Sequence, residues 1–312
     1  MEGRAGRPLP CSRELRSSRS RRSLRRDGRG RGRGRGPVEP AYVCCATVEG
    51  TLRIVDEGVG RPVVLLHGFP DRAELWREVS PHLQAGGLRT LAVDLPGFGD
   101  SPAPRGRDAY NIEKTVAADV LGALDALGVS ERVDLVGHDW GAVLGWVLCL
   151  RHPDRVRRFV ALSVGHPRAY INAGLEQKRK GTYMLGWQIP RLAEHRLSED
   201  DFRRLRAFIS GHPDIEQVVT DLRRPGRLTA GLNWYRANYL QNVFTRWPKS
   251  TTPTLGVWSS EDPYLAEDQM VNSRRYVTSD WRYERLDGIG HWIPIEAPEA
   301  TARLINEWLA TP

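Results

Sequence analysis

The residues that could do chemistry begin with the segment GHDWG (137–141). It follows the strand-like segment VDLV and precedes an apolar helix-like segment, so it predicts a sharp turn from a strand into a helix. Glycines two positions before and after the central residue allow a turn tight enough to hold that side chain above a sheet. The central residue is Asp139, whose ionised carboxylate can attack a strained or halogenated sp3 carbon. Taken alone, the pattern also fits an Asx turn before a helix.

An alkyl ester on Asp139 would need a base to release it, and His291 is the best placed histidine. It lies in GIGHWIPIEAPE (288–299), between the last predicted strand and the closing helix. Asp262 directly follows the predicted strand 252–260 and would orient the imidazole and stabilise its charged form. Neighbouring Glu261 is the alternative acid. We therefore predict a triad of Asp139, His291 and Asp262.

The remaining pattern predicts strands that alternate with helices. Strands are expected at 51–58, 61–68, 88–97, at the start of 133–142, and at 156–163, 252–260 and 281–290; helices are expected at 111–128, after 142 and at 301–309. Continuous apolar runs such as RPVVLLHG predict strands buried on both faces. The alternation predicts an α/β fold, a mostly parallel sheet flanked by helices.

Residues 166–245 break this alternation and predict an inserted helical cap. The cap helices are expected at Gln177–Met184, Ser198–Ser210, Ile215–Leu222 and Leu228–Val243. The core is then made of residues 41–165 and 246–312.

Residues 1–40 differ in composition from the rest of the chain. The chain has a net charge of +8, but residues 1–36 hold 13 arginines against three acidic residues, so the remainder is close to neutral. A segment so rich in Arg and Gly cannot bury enough apolar surface to fold alone, and we predict disorder. Its RGRGRGRG run (29–36) resembles RNA-binding tails, although a solvated extension is the simpler interpretation and we do not expect nucleic acid binding.

The cysteines do not indicate a metal site or a disulfide framework. Cys11, Cys44, Cys45 and Cys149 lack metal-ligand spacing, and adjacent Cys44 and Cys45 would point to opposite faces of a strand. We predict reduced thiols in a cytoplasmic protein with no metal and no cofactor. No apolar run approaches the roughly 18 residues of a membrane span, so no membrane partner is expected.

Several motifs together resemble those of the epoxide hydrolases of the α/β-hydrolase superfamily. The resemblance covers about residues 45–311 and is carried by HGFP (67–70), DLPGFGDS (94–101), GHDWGA (137–142), YMLGWQIP (183–190), NWYR (233–236) and GHWIPIEAPE (290–299). It implies the α/β-hydrolase fold, in which the chain order Asp139, Asp262, His291 is that of nucleophile, acid and base. It also implies an oxyanion hole formed by the backbone amides of Phe69 and Trp140. A cis peptide bond before Pro70 could fix the loop that carries Phe69.

The resemblance also implies that Tyr183 and Tyr235 hydrogen-bond the epoxide oxygen from the cap. The nearby Tyr170 and Tyr239 are alternatives for these two positions. Large side chains in or beside the motifs are predicted to wall an apolar substrate pocket: Trp140, Met184, Trp187, Trp234 and Trp292. The implied partners are a small apolar epoxide and water.

Two other functions share parts of this pattern. A haloalkane dehalogenase uses the same Asp–His–acid triad but needs two donors for the departing halide, and Phe69 has no side-chain donor where such enzymes often have Asn. A non-catalytic ligand-binding protein, tethered to RNA by the Arg-Gly tail, would not need the triad and both tyrosines. The sequence therefore favours hydrolysis of epoxides to diols.

Overall fold

A mixed sheet forms the centre of the molecule. The computed structural model describes residues 12–14 and 41–46, as backbone only, and residues 51–311. Within these residues the strands run β1 Ser12–Glu14, β2 Ala41–Ala46, β3 Thr51–Glu57, β4 Arg61–Leu66, β5 Leu88–Val93, β6 Val133–His138, β7 Val156–Leu162, β8 Thr254–Ser259 and β9 Trp281–Leu286. Their order across the sheet is β1-β2-β3-β5-β4-β6-β7-β8-β9.

The predicted parallel arrangement holds for the six strands from β4 to β9. Strands β5, β4, β6, β7, β8 and β9 pair in parallel, whereas β1, β2 and β3 pair antiparallel and β3 joins β5 antiparallel. Every residue of β6 and β8 is buried, as continuous apolar strands covered on both faces require. The predicted fold class, a mostly parallel sheet flanked by helices, is confirmed.

Helices connect the parallel strands. They are α1 Ser80–Ala85, α2 Ala117–Ala126, α3 Trp140–Arg151, α4 Pro167–Ile171, α5 Leu175–Lys180, α6 Tyr183–Trp187, α7 Leu192–Phe208, α8 Ile215–Arg223, α9 Arg227–Phe244, α10 Glu267–Val271, α11 Ile293–Glu296 and α12 Pro298–Ala310. Short helical turns occupy Ala73–Trp76, Asp108–Tyr110, Ile112–Val116, Pro153–Arg155 and Asn272–Tyr276. Helix α3 lies directly after β6, which is the connection that carries Asp139.

The helices from α4 to α9 all lie between β7 and β8. Helix α9 packs against α4, α6, α7 and α8. The predicted helix Gln177–Met184 is wrong in detail, because Gly181 ends α5 and the chain turns before α6. The predicted helix Ser198–Ser210 is wrong at its start, because non-helical backbone at 199–202 interrupts α7 there, and the second part of α7 follows this break and ends at Phe208. We propose that this helical segment, 166–245, is a cap on the sheet.

The N-terminal segment contains one element that was not predicted. Ser12–Glu14 forms β1 and pairs with β2, so the prediction of a tail without structure is wrong at these three residues. The edge of β2 presents unpaired backbone groups, and three residues of any non-proline composition can satisfy them. The rest of the 1–40 segment, including RGRGRGRG and the RNA-tether hypothesis, lies outside the described residues.

Candidate active site

A strained turn presents Asp139 at the end of β6. Its backbone has φ 51° and ψ −120°, in the region that L residues rarely occupy. The flanking glycines make this turn possible, because a Cβ on Gly137 would collide with the carbonyl of Gly141. A Cβ on Gly141 would in turn collide with the Leu66 carbonyl in β4. The sequence therefore folds locally so that one carboxylate projects beyond the sheet.

Two backbone amides converge on the Asp139 carboxylate. The Phe69 amide donates to Oδ1 at 2.8 Å, and the Trp140 amide also hydrogen-bonds the group. Gly68 permits this approach, since a side chain there would overlap the carboxylate. Burial nevertheless raises the pKa of Asp139 to about 6, against the opposing effects of His291 and of the two amides. The two amides predicted as an oxyanion hole thus meet at Asp139 itself, and the Phe69–Pro70 bond is cis.

His291 lies between two carboxylates. Its Nδ1 is 2.8 Å from Asp262 Oδ2, and its Nε2 is 3.9 Å from Asp139 Oδ2. The backbone amides of Tyr264 and Leu265 donate to Asp262 Oδ1. Burial alone would lower the pKa of His291, but the charge and hydrogen bond of Asp262 outweigh it, and the pKa is raised.

The pKa of Asp262 itself is lowered because His291 and the two amides outweigh the cost of burial. The structure thus brings together the three residues predicted as a triad. The alternative acid, Glu261, is exposed on the surface and has no part in this arrangement.

Two other histidines near the site have partners in the protein backbone. His67 Nε2 accepts the amide of Leu95, and its Nδ1 lies 2.8 Å from the Gly68 carbonyl. His138 Nε2 lies 2.9 Å from the His291 carbonyl oxygen. Burial lowers the pKa of both histidines, to about 3 for His138, so they are neutral at pH 7. They fix the loops around the site, and only His291 faces Asp139 with a free ring nitrogen.

Tyr183 and Tyr235 approach Asp139 from the helical segment. Their rings pack edge-on with centroids 6.0 Å apart, and the Trp140 ring packs edge-on against Tyr235 at 5.0 Å. The indole of Trp187 packs edge-on against both rings, with centroids 4.8 and 4.7 Å away. Burial raises the pKa of each phenol well above its usual value, so both hydroxyls stay protonated and can donate.

Two cavities meet at these residues. The larger, of about 320 Å³, is lined by Trp140 and Met184, as predicted for a substrate pocket, together with Asp139 and both tyrosines. The smaller, of about 10 Å³, is lined by Trp292 and His291. The predictions for Trp187 and Trp234 are corrected, because neither lines either cavity. Trp187 packs behind the tyrosines, and the Trp234 indole is fully buried and donates to the Pro96 carbonyl.

Sequence reasoning did not identify four aromatic residues that line these cavities. Phe208 and Tyr264 are part of the smaller cavity, and Tyr170 and Tyr239 are part of the larger one. The sequence suggests Tyr170 and Tyr239 only as alternatives to Tyr183 and Tyr235 as the two donors. Phe208 had no motif around it.

The described residues contain no group of three or more His, Cys, Asp or Glu side chains that could hold a metal ion. Among the same residues, no helix is both long and apolar enough to cross a membrane. Cys149, the one cysteine whose side chain is described, is buried and unpaired.

Known proteins share this fold and sequence. A family model described as the alpha/beta hydrolase fold matches residues 61–298. Epoxide hydrolase A of Mycobacterium tuberculosis (strain ATCC 25618 / H37Rv) is 33% identical over 82% of this chain and 93% of its own length. Epoxide hydrolase 4 of Mus musculus is 30% identical over 80% of this chain and 73% of its own length. The crystal structure of Epoxide Hydrolase A from Mycobacterium thermoresistibile is 29% identical, with a TM-score of 0.75 over 86% of this chain and 98% of that one.

The chain belongs to the α/β-hydrolase family and, within it, to the epoxide hydrolases.

Proposed function

We propose that this enzyme opens epoxides to vicinal diols through a covalent ester on Asp139. One arrangement carries the proposal: a carboxylate on a strained turn faces two buried tyrosine hydroxyls across a cavity, with His291 and Asp262 behind it. An epoxide carbon can be attacked from one side while the epoxide oxygen receives hydrogen bonds from the other. The similarity to epoxide hydrolases supports this proposal.

In the first step Asp139 Oδ2 attacks a carbon of the oxirane. A carbon–oxygen bond forms as the ring carbon–oxygen bond breaks, and negative charge develops on the leaving oxygen. Tyr183 and Tyr235 remain protonated in their buried positions, so their hydroxyls can stabilise that charge and supply a proton. Without such donors an alkoxide is a poor leaving group.

In the second step water attacks the Cγ atom of the Asp139 ester. His291 Nε2 accepts a proton from this water while Asp262 holds the opposite ring nitrogen and stabilises the positive charge. The Phe69 amide already lies 2.8 Å from Asp139 Oδ1, so it can stabilise the oxyanion that forms on that carbonyl oxygen. Collapse of the intermediate breaks the bond between Cγ and the substrate oxygen, which takes the proton from His291 and leaves as the diol. The remaining proton of the attacking water reprotonates the tyrosine, so Asp139 is again a carboxylate and now carries one oxygen from water.

Haloalkane dehalogenation uses the same triad but fits this site less well. A halide needs two donors, and the Trp140 indole would be the first of them. That indole packs edge-on against Tyr235 at 5.0 Å, and the Phe69 side chain provides no second donor. The pair of tyrosine hydroxyls instead matches an oxygen that becomes an alkoxide.

The experiment that tests the proposal is a comparison of leaving groups. We expect the purified enzyme to hydrolyse styrene-type or terminal alkyl epoxides faster than it releases halide from 1-haloalkanes of equal chain length. Diol formation is measured by gas chromatography, and halide by ion chromatography. Faster halide release than epoxide opening across the panel would contradict the proposal and leave the fold and the triad geometry intact.

A further inference from the structure

The space around Asp139 is strongly unequal on its two sides. The cavity of about 320 Å³ and the cavity of about 10 Å³ share Asp139, Tyr183 and Tyr235 as lining residues and no others. The nucleophile and the two hydroxyls that would hold an epoxide oxygen therefore stand at the junction of a large space and a very small one. A ring held at this junction has one carbon facing each space.

Aromatic side chains fill the small side. Phe208 packs against Tyr183 and Tyr264 with ring centroids 4.7 and 4.9 Å away, and the Tyr264 hydroxyl donates to the Phe208 carbonyl. Tyr264 also packs edge-on against His291, at 4.8 Å. These contacts lock the walls together, so the small space cannot be enlarged by turning one side chain.

The small cavity, of about 10 Å³, has room for about one water molecule, since a cavity needs roughly 10–15 Å³ to hold one. It is lined by both Asp139 and His291, whose Oδ2 and Nε2 atoms lie 3.9 Å apart. A water that attacks the Asp139 ester with help from His291 has to stand there. Any substituent that entered this space would clash with Phe208 and also displace that water.

We propose that the enzyme is selective for terminal epoxides, with the unsubstituted ring carbon facing the small cavity and the single substituent lying in the large one. This inference rests on the proposed epoxide opening and adds the substrate class. The walls of the large cavity are mainly apolar, with Val143, Met184 and Val243 among them, so the substituent is an alkyl or aryl group. Phe208, in the wall of the small cavity, then helps to exclude a second substituent.

The test uses two isomers that differ only in where the ring lies along the chain. We expect kcat/KM for 1,2-epoxyoctane to exceed that for trans-4,5-epoxyoctane by on the order of 10²-fold, because a propyl group cannot enter the small cavity. In Phe208→Ala the space beside His291 is larger, so this ratio should fall by about tenfold or more. Phe244→Ala is the matched control, since the same truncation occurs at an exposed side chain that lines neither cavity.

The outcomes separate the two levels of the proposal. Equal kcat/KM for the two isomers in the unmodified enzyme would overturn the terminal selectivity while epoxide opening stands. Hydrolysis of neither isomer, nor of styrene oxide, would overturn the proposed function and the selectivity with it. A ratio in folded Phe208→Ala equal to that of Phe244→Ala would overturn the role of Phe208. If Phe208→Ala does not fold, the isomer ratio of the unmodified enzyme still decides the selectivity.

Discussion

The two sides of the active site are held in different ways. On the core side, backbone amides and ion pairs position Asp139, His291 and Asp262. On the side of the helical segment, edge-on aromatic contacts hold Tyr183 and Tyr235 against Trp187. The core side contains the charges of the predicted triad, whereas the opposite side contributes neutral donors, mainly apolar walls and one charged side chain, Lys178.

In the proposed mechanism, this difference gives each side a separate task. Charge that would appear and disappear during turnover lies where amides and a second carboxylate can compensate for it. The proposed leaving-group donors lie where aromatic packing fixes their geometry. Changes on the core side should therefore alter pH dependence and ester hydrolysis, and changes on the other side should alter ring opening and substrate choice.

The largest expected effect is on the aromatic side. We expect Tyr183→Phe or Tyr235→Phe to slow ring opening by on the order of 10²-fold, and the double variant by about 10⁴-fold, because each change removes one donor to the developing alkoxide. Single-turnover alkylation of Asp139, followed by rapid quench and mass spectrometry, measures this step. Near-normal ring opening in the double variant would show that the tyrosines only pack. Tyr239→Phe, which also lines the large cavity, tests whether hydroxyl loss elsewhere in the pocket has the same effect.

The next effect concerns one of the buried contacts that join the two sides. His212, just after α7, lies with its Nε2 2.9 Å from Asp71 Oδ1, and both side chains are buried. Burial would raise the pKa of Asp71, but His212 outweighs it and the pKa is lowered. We expect Asp71→Ala to lower the free energy of unfolding by about 3 kcal/mol, because it removes one partner of a buried pair. Urea denaturation at pH 7 measures this quantity.

The matched control for that pair is at the surface. Asp214 contacts Arg77 at 2.7 Å with both side chains well exposed, so Asp214→Ala should cost less than about 1 kcal/mol. Equal losses in the two variants would mean that the buried contact adds nothing to the joining of the two sides.

On the core side, Asp262→Asn should slow ester hydrolysis by at least about 10²-fold, since the amide cannot stabilise charged His291. The Asp262 carboxylate raises the pKa of His291, so its removal should also move the acid limb of the pH–rate profile to lower pH. Glu261→Gln removes a neighbouring, exposed carboxylate and should leave both quantities unchanged. An unshifted acid limb in Asp262→Asn would contradict the assigned pairing.

The last effect is on the pH dependence of the free energy of unfolding. The pKa of Asp139 is about 6 when folded against 3.8 as a free side chain, so folding takes up a proton between these values. The contribution of Asp139 to the free energy of unfolding is therefore most favourable at low pH, and it is lost as the pH rises from about 4 to about 6. Asp139→Asn should therefore raise the free energy of unfolding by about 3 kcal/mol at pH 8 and by little at pH 4. The pKa of Asp262 is lowered instead, so Asp262→Asn should lower the free energy of unfolding at pH 8. A change of the same sign in the free energy of unfolding of both variants would contradict this contrast.

The core side could be predicted from the sequence largely because its geometry depends on backbone sterics. Gly137 and Gly141 are required wherever a residue like Asp139 turns so sharply, and that requirement is visible as spacing. Asp139, Asp262 and His291 come together because the carboxyl ends of the parallel strands meet at one edge of the sheet, whereas their order as nucleophile, acid and base was implied by the resemblance to the family.

The opposite side was predicted less well because its geometry depends on which faces of short helices meet. The motifs marked Tyr183 and Tyr235, but the same motifs also suggested Trp187 and Trp234 as pocket walls, and these two pack behind. Phe208 reaches the site only because α7 changes direction at 199–202, and nothing in the spacing of apolar residues indicates that change.

The central claim is that Asp139 forms an ester that His291 clears, and one measurement tests it directly. In His291→Gln the ester should form and persist, so the intact mass after addition of 1,2-epoxyoctane should increase by one substrate molecule. Peptide mapping should place the adduct on the segment that contains Asp139, and adding Asp139→Asn should abolish it. An unmodified mass in a variant that still consumes the epoxide, or an adduct on any other residue, would contradict the account.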